Sequence, residues 1–240
     1  MKLVASILVL FLALPWPAAH AGDELVTLAE AGDTPTLYVL TTAPGGTTKY
    51  GVIMMPGGKG VLNLSGQGSN VVIGSYSGSF TVRTRGRFAD QQFVAAVTDS
   101  TSSASRIMAI VRDLERRYGK IAIYVIGTSS STESTMSLAS KIDGQVAGFV
   151  HTSSMPRISG FDPRQFKSRH LIVYHRQDPC PNTRTWFADS SHRAYGTELI
   201  VIEGGKDRGG DPCEGATSHT FEGAEQETVD KIKEWIVRGR

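Results

Sequence analysis

The sequence predicts an α/β fold, a mostly parallel central sheet with helices on both faces. Two observations carry that expectation. Short β-branched apolar runs alternate with amphipathic stretches along the chain, which calls for an open sheet with crossover helices. Most of the runs are apolar at consecutive positions rather than at every second one, the pattern of strands buried on both faces. The length of 240 residues suits one domain with a substantial core.

The chain opens with MKLVASILVLFLALPWPAAHAG. Lys2 is a positive start, Leu3 to Leu14 is an apolar run, and Ala19-His20-Ala21 is a small-x-small cleavage site. These are the parts of an export signal covering residues 1–21. The run is short for a bilayer-spanning helix, and no other segment approaches the roughly 20 apolar residues that spanning requires. A single domain over residues 22–240, periplasmic or secreted and without stable membrane insertion, is therefore expected.

Strands are predicted at TLYVLTT from Thr36, YGVIMMP from Tyr50, FVAAVTD from Phe93 and IAIYVIG from Ile121. Three more follow, at AGFVHTS from Ala147, HLIVYHR from His170 and ELIVIEG from Glu198. The stretch SASRIMAIVRDLERRYG places Ile107, Ile110, Val111 and Leu114 on one helical face, with Gly119 as the stop. Further helices are expected at STMSLASKI, TRTWFADSSHRAYG and AEQETVDKIKEWIVRGR. The Gly/Ser-rich segment from Gly58 to Ser79 reads as one long loop.

Net charge is +2, or +1 once Lys2 is removed with the signal. That near-neutral balance gives no electrostatic reason to expect a nucleic acid as partner. The local cluster of Arg83, Arg85 and Arg87 is expected to be a solvated helix face. Cys180 and Cys213 are the only cysteines. In an oxidising compartment such a pair most simply forms one disulfide, and two cysteines without a nearby second pair make a poor zinc site. No metal is expected.

The run GTSSS from Gly127 follows a predicted strand and precedes a predicted helix. A nucleophile mounted between a strand and a helix needs small residues two before and two after it, or the two elements collide. Ser129 has Gly127 before it and Ser131 after it. Ser130 would put Thr128 and Thr132 in those crowded places, and Ser131 would put Glu133 in one. Ser129 is the candidate nucleophile, and Ser131 stands where the G-x-S-x-G pattern has its last glycine.

A serine needs a base, and the base needs an orienting group. Asp178 follows the strand HLIVYHR, and His219 lies in the loop after ELIVIEG, in the chain order Ser, acid, His. Asp162 is the rival acid. His170 and His175 lie in or at the end of a strand, His192 lies on a helix, and His151 reads as a packed histidine at the core edge. Asp207 and Asp211 share the base's loop and fit only a supporting role. Cys180 is two residues beyond Asp178 and Cys213 six before His219, so a bridge between them would tie the acid loop to the base loop. For the oxyanion, the N–H of Ser130 is one expected donor. The PGGKG loop supplies another at Gly58 or Lys59, where glycines leave the approach open. The Lys59 side chain itself is expected to be solvated.

Taken together, PGGKG, GTSSS, HRQDPC and CEGATSHTFEG resemble the α/β-hydrolase family over nearly all of the chain from Thr36 onward. More narrowly, they resemble small exported bacterial hydrolases that carry a similar H-x-x-D-P-C and a C…H-x-F ending. The resemblance implies the α/β-hydrolase fold, with Ser129 as nucleophile, His219 as general base and Asp178 as its orienting acid. It also implies oxyanion donors at Ser130 and around Gly58 and Lys59, a small-molecule ester as substrate and no cofactor. Families of this fold often insert a lid after the strand matching AGFVHTS. Here only SMPRISGFDPRQFKS intervenes, so a minimal lid or none is expected.

Overall fold

A computed structural model describes residues 22–29 and 35–239. The predicted signal at residues 1–21 lies outside the described residues. The main sheet has eight strands. They are β1 (Gly22–Leu28), β2 (Thr36–Thr42), β3 (Tyr50–Met55), β6 (Phe93–Thr98), β7 (Ala122–Thr128), β8 (Gly148–Thr152), β9 (Arg169–His175) and β10 (Glu198–Ile202), in the spatial order β1-β2-β6-β3-β7-β8-β9-β10. β2 runs antiparallel to both β1 and β6, and β6 through β10 form the parallel body. Every residue of β3, β6 and β8 is buried, as their uninterrupted apolar runs require.

Helices cover both faces. On one, α1 (Phe80–Arg83), α2 (Arg85–Phe88) and α6 (Glu225–Arg238) close a core that includes Phe80, Phe88, Val229, Ile232 and Trp235. On the other, α3 (Ala104–Tyr118) and α4 (Ser131–Ile142) bury Ile107, Ile110, Leu114, Leu138 and Ile142. α5 (Thr185–Tyr195) adds a smaller cluster around Ala188 and Ile172. α3 begins where Ser103 Oγ accepts the Arg106 N–H and stops at Gly119, whose φ of 78° only glycine adopts freely.

Besides β1, where the sequence predicts no strand, two features depart from the sequence expectation. The segment from Gly58 to Ser79 contains a hairpin, β4 (Leu64–Gln67) with β5 (Asn70–Ile73), that touches β1 through a Leu25–Gly68 bridge. Two members of the arginine cluster are ion-paired rather than solvated, and Arg87 stays exposed. Arg83 bonds Glu222 and Glu225, at 3.4 and 2.8 Å, and Arg85 bonds Asp23 at 2.7 Å. Arg87 reaches the Gln226 side chain at 2.9 Å.

His151 and His170 form a buried pair between β8 and β9. His151 Nε2 and His170 Nδ1 lie 3.2 Å apart, and His151 Nδ1 meets Thr135 Oγ1 at 2.8 Å. Burial disfavours the imidazolium, pushing His170 down to about 4 and His151 well below the usual range. The unfolded chain therefore takes up protons first as the medium is acidified. Stability present above pH 6.5 is lost as the pH falls toward 4, by about 3 kcal/mol for His170. Thermal unfolding at pH 7 and pH 4.5 checks this, because His170→Phe flattens the dependence.

Candidate active site

Parallel strands bring their carboxyl ends to one edge of the sheet, and ligand sites of open α/β sheets form there. β3 delivers Pro56-Gly57-Gly58 to that edge, β7 delivers Ser129, β9 delivers Asp178, and the loop after β10 delivers His219. Ser129, Ser130, Gly58, Lys59 and His219 all line one cleft of about 1040 Å³, together with both cysteines.

The turn at Ser129 is tight. Ser129 has φ +53°, the left-handed region that non-glycine residues seldom occupy, and its N–H bonds the Thr152 carbonyl at 3.0 Å. Gly127 is required: a Cβ there would lie 2.6 Å from the Ser131 carbonyl oxygen. Ser131 serves in place of the second glycine because its hydroxyl is used. Its Oγ accepts the Thr128 N–H at 2.7 Å and lies 2.9 and 3.1 Å from the Thr128 and Met55 carbonyls, to one of which it donates. The departure from G-x-S-x-G thus pins the turn rather than loosening it. Ser130 Oγ donates to the Gly58 carbonyl at 2.6 Å and ties the serine turn to the loop after β3.

That loop approaches the serine closely. A Cβ on Gly57 would sit 3.0 Å from Ser129 Cβ. Gly58 has φ +63°, and a Cβ there would strike the Tyr76 ring at 2.2 Å. The Gly57 N–H is taken by Ser79 Oγ at 3.4 Å. The N–H groups of Gly58, Lys59 and Ser130 donate to nothing among the described residues.

Asp178 and His219 meet. His219 Nδ1 is 3.1 Å from each Asp178 oxygen, and both side chains are buried. A carboxylate only accepts, so Nδ1 carries the hydrogen and Nε2 is left as the basic nitrogen. The Cys180 N–H bonds Asp178 Oδ1 at 2.9 Å, and Thr183 Oγ1 donates to Oδ2 at 2.9 Å. Ser129 Oγ and His219 Nε2 make no hydrogen bond among the described residues, although both residues line the cleft. Such bonds commonly tighten only when substrate fills the site.

His219 is held from several directions. Ser153 Oγ donates to its carbonyl at 2.7 Å, and Arg83 Nη2 donates to the Thr220 carbonyl at 2.7 Å. Phe221, next in line, is fully buried against Phe80 with ring centroids 4.7 Å apart. Asp207 accepts from Ser218 Oγ, beside His219 in the chain, at 2.6 Å. Asp211 lines the cleft and accepts the Cys213 N–H at 2.8 Å. Cys180 and Cys213 form the disulfide, with their Cα atoms 4.6 Å apart.

The rival groups are engaged elsewhere. Asp162 pairs with Arg164, whose guanidinium holds its carboxyl below the usual range. His175 Nε2 faces the Gly204 carbonyl at 2.8 Å, and His192 Nδ1 faces the Thr197 carbonyl at 2.7 Å. His151 is fully buried. The sequence gives no sign of the Thr183–His219 or Arg83–Thr220 contacts, which join residues far apart along the chain. Between β8 and β9 the chain makes only two 3₁₀ turns, Pro156–Gly160 and Pro163–Gln165, and no lid. No helix among the described residues is long and apolar enough to cross a membrane.

No family profile matches the sequence, and no curated protein does. Solved structures do match over the length of the domain. A dienelactone hydrolase from Anabaena variabilis is 11% identical with a TM-score of 0.62, covering 91% of this chain and 98% of its own. Est1E from Butyrivibrio proteoclasticus is 13% identical with a TM-score of 0.59, covering 90% and 98%. A lidless serine hydrolase from Xanthomonas campestris is 8% identical with a TM-score of 0.58, covering 91% and 93%. Identities this low speak to architecture alone, and the strand order, the antiparallel β2 and the serine turn after β7 agree with it. The chain has the α/β-hydrolase fold.

Proposed function

We propose that the chain is an exported serine hydrolase that transfers an acyl group from a small ester to water. Ser129 attacks the carbonyl carbon, and His219 Nε2 accepts its proton. Asp178 holds the ring and stabilises the imidazolium that forms. The N–H of Ser130, with that of Gly58 or Lys59, takes the oxyanion. His219 then returns the proton to the departing alkoxide, and water activated by the same ring cleaves the acyl-enzyme. The reaction as written needs no cofactor.

The observation that carries this reading is the serine at positive φ, flanked by unused N–H groups, in the same cleft as a histidine backed by a buried carboxylate. The open edge between β8 and β9 favours small or extended esters over an enclosed lipid chain. Export is supported by the signal pattern in the sequence and by the Cys180–Cys213 disulfide, which suits an oxidising compartment.

Purified protein assayed on p-nitrophenyl acetate and butyrate, beside the matching anilides, tests the proposal. Ester turnover exceeding anilide turnover is expected. Faster anilide cleavage would assign the same residues to an amidase, and no turnover of either would contradict catalysis.

A further inference from the structure

We infer that Thr183 is a positioning residue that holds the His219–Asp178 pair in the protonation pattern needed for base catalysis. The inference rests on the hydrolase reading of Ser129 and His219.

Thr183 lies in the turn between Cys180 and α5, with its N–H on the Cys180 carbonyl at 3.2 Å. It is 1% exposed, and its Oγ1 is 2.9 Å from Asp178 Oδ2 and 3.0 Å from His219 Nδ1. A hydroxyl carries one hydrogen, and a carboxylate can only accept it. The Thr183 hydrogen is therefore committed to Asp178, and the hydroxyl turns a lone pair toward the imidazole. A lone pair facing Nδ1 is satisfied only if Nδ1 carries a hydrogen. In the neutral ring that tautomer leaves Nε2 as the nitrogen able to accept a proton.

The same hydroxyl also fixes the carboxylate. Cys180 N–H anchors Oδ1 and Thr183 Oγ1 anchors Oδ2, so neither oxygen can rotate away from the ring without losing a donor. This symmetric anchoring explains why both oxygens are equidistant from Nδ1 at 3.1 Å. When the ring takes the proton from Ser129, its positive charge meets a carboxylate and a hydroxyl oxygen already in place. No reorganisation is needed at that moment.

Full-length Thr183→Val and Thr183→Ser are the test, assayed on p-nitrophenyl acetate and followed by ¹⁵N spectra of the His219 ring. Valine keeps the shape and removes the hydroxyl, whereas serine keeps the hydroxyl. Misplacement of the pair in T183V should lower kcat by about 10- to 100-fold, with KM within about twofold of wild type. T183S should retain at least about a third of wild-type kcat. The ¹⁵N spectra should show the Nδ1–H form in the wild type and T183S, and a share of the Nε2–H form in T183V, where Asp178 Oδ2 has lost its anchor and the carboxylate can turn away from Nδ1. Should T183V fail to fold, Thr183→Ala removes the same hydroxyl with less bulk. Wild-type kcat in the hydroxyl-free variant, equal losses in both variants, or an unchanged ring tautomer would overturn the inference. The ring spectra need no turnover, so they decide it even if the wild type hydrolyses no ester and the hydrolase reading itself falls.

Discussion

Replacing Ser129 with alanine is expected to lower kcat on a short ester by at least about 10⁴-fold, because members of a nucleophile–base–acid set act as a unit. His219→Ala should fall as far, and the double variant should lose little more. The fold should not suffer. Ser129 Oγ bonds nothing among the described residues, and alanine tolerates φ +53° no worse than serine. The neighbouring serines separate the effects. Ser131→Ala removes a buried hydroxyl that accepts the Thr128 N–H and donates to one of the Thr128 and Met55 carbonyls, and should cost about 1–3 kcal/mol of stability. Ser130→Ala loses only the bond to the Gly58 carbonyl and keeps its N–H, so much of the activity should survive. Steady-state kinetics and thermal melts on the three variants check the assignment. Equal activity losses at all three positions would contradict it.

The second large effect is expected from the disulfide. Cys180 and Cys213 are 33 residues apart, and opening a loop of that length should cost about 4 kcal/mol in the chain-entropy account. For a domain of this size that corresponds to a fall in Tm of about 10 °C. Activity should fall as well, by about tenfold or more, because the bridge restrains the Cys180 N–H that anchors Asp178 Oδ1. It also ties that turn to the exposed loop from Glu203 to Glu214, which leads to His219. The variant carrying Cys180→Ala and Cys213→Ala avoids a free thiol. A melt within about 2 °C of wild type would show that the bridge does not restrain the unfolded chain.

The seven predicted strands all form, because each is an apolar run that the sheet buries, fully in the interior and partly at the β10 edge. β1 escaped notice because it is half exposed at the sheet edge and mixes Asp23, Glu24 and Thr27 with its apolar residues. The β4–β5 hairpin is hidden by Ser65, Gly66 and Asn70, residues that favour turns, and it docks on β1 through the Leu25–Gly68 bridge. The serine turn was legible since its constraint is local: Gly127 and Ser131 must be small whatever else the chain does. Asp178 and His219 are picked out in the sequence by chain order, and their 3.1 Å contact follows from parallel strands ending at one edge. Arg83 was not. Its charge reads as solvated until Glu222 and Glu225, about 140 positions on, fold back against it.

The most direct measurement is covalent labelling of the intact folded protein with a fluorophosphonate, followed by mass mapping of the modified peptide. One label per chain on Ser129, lost in His219→Ala, is the expected result. Labelling at Ser130 or Ser131, or a folded protein with no label, would contradict the account.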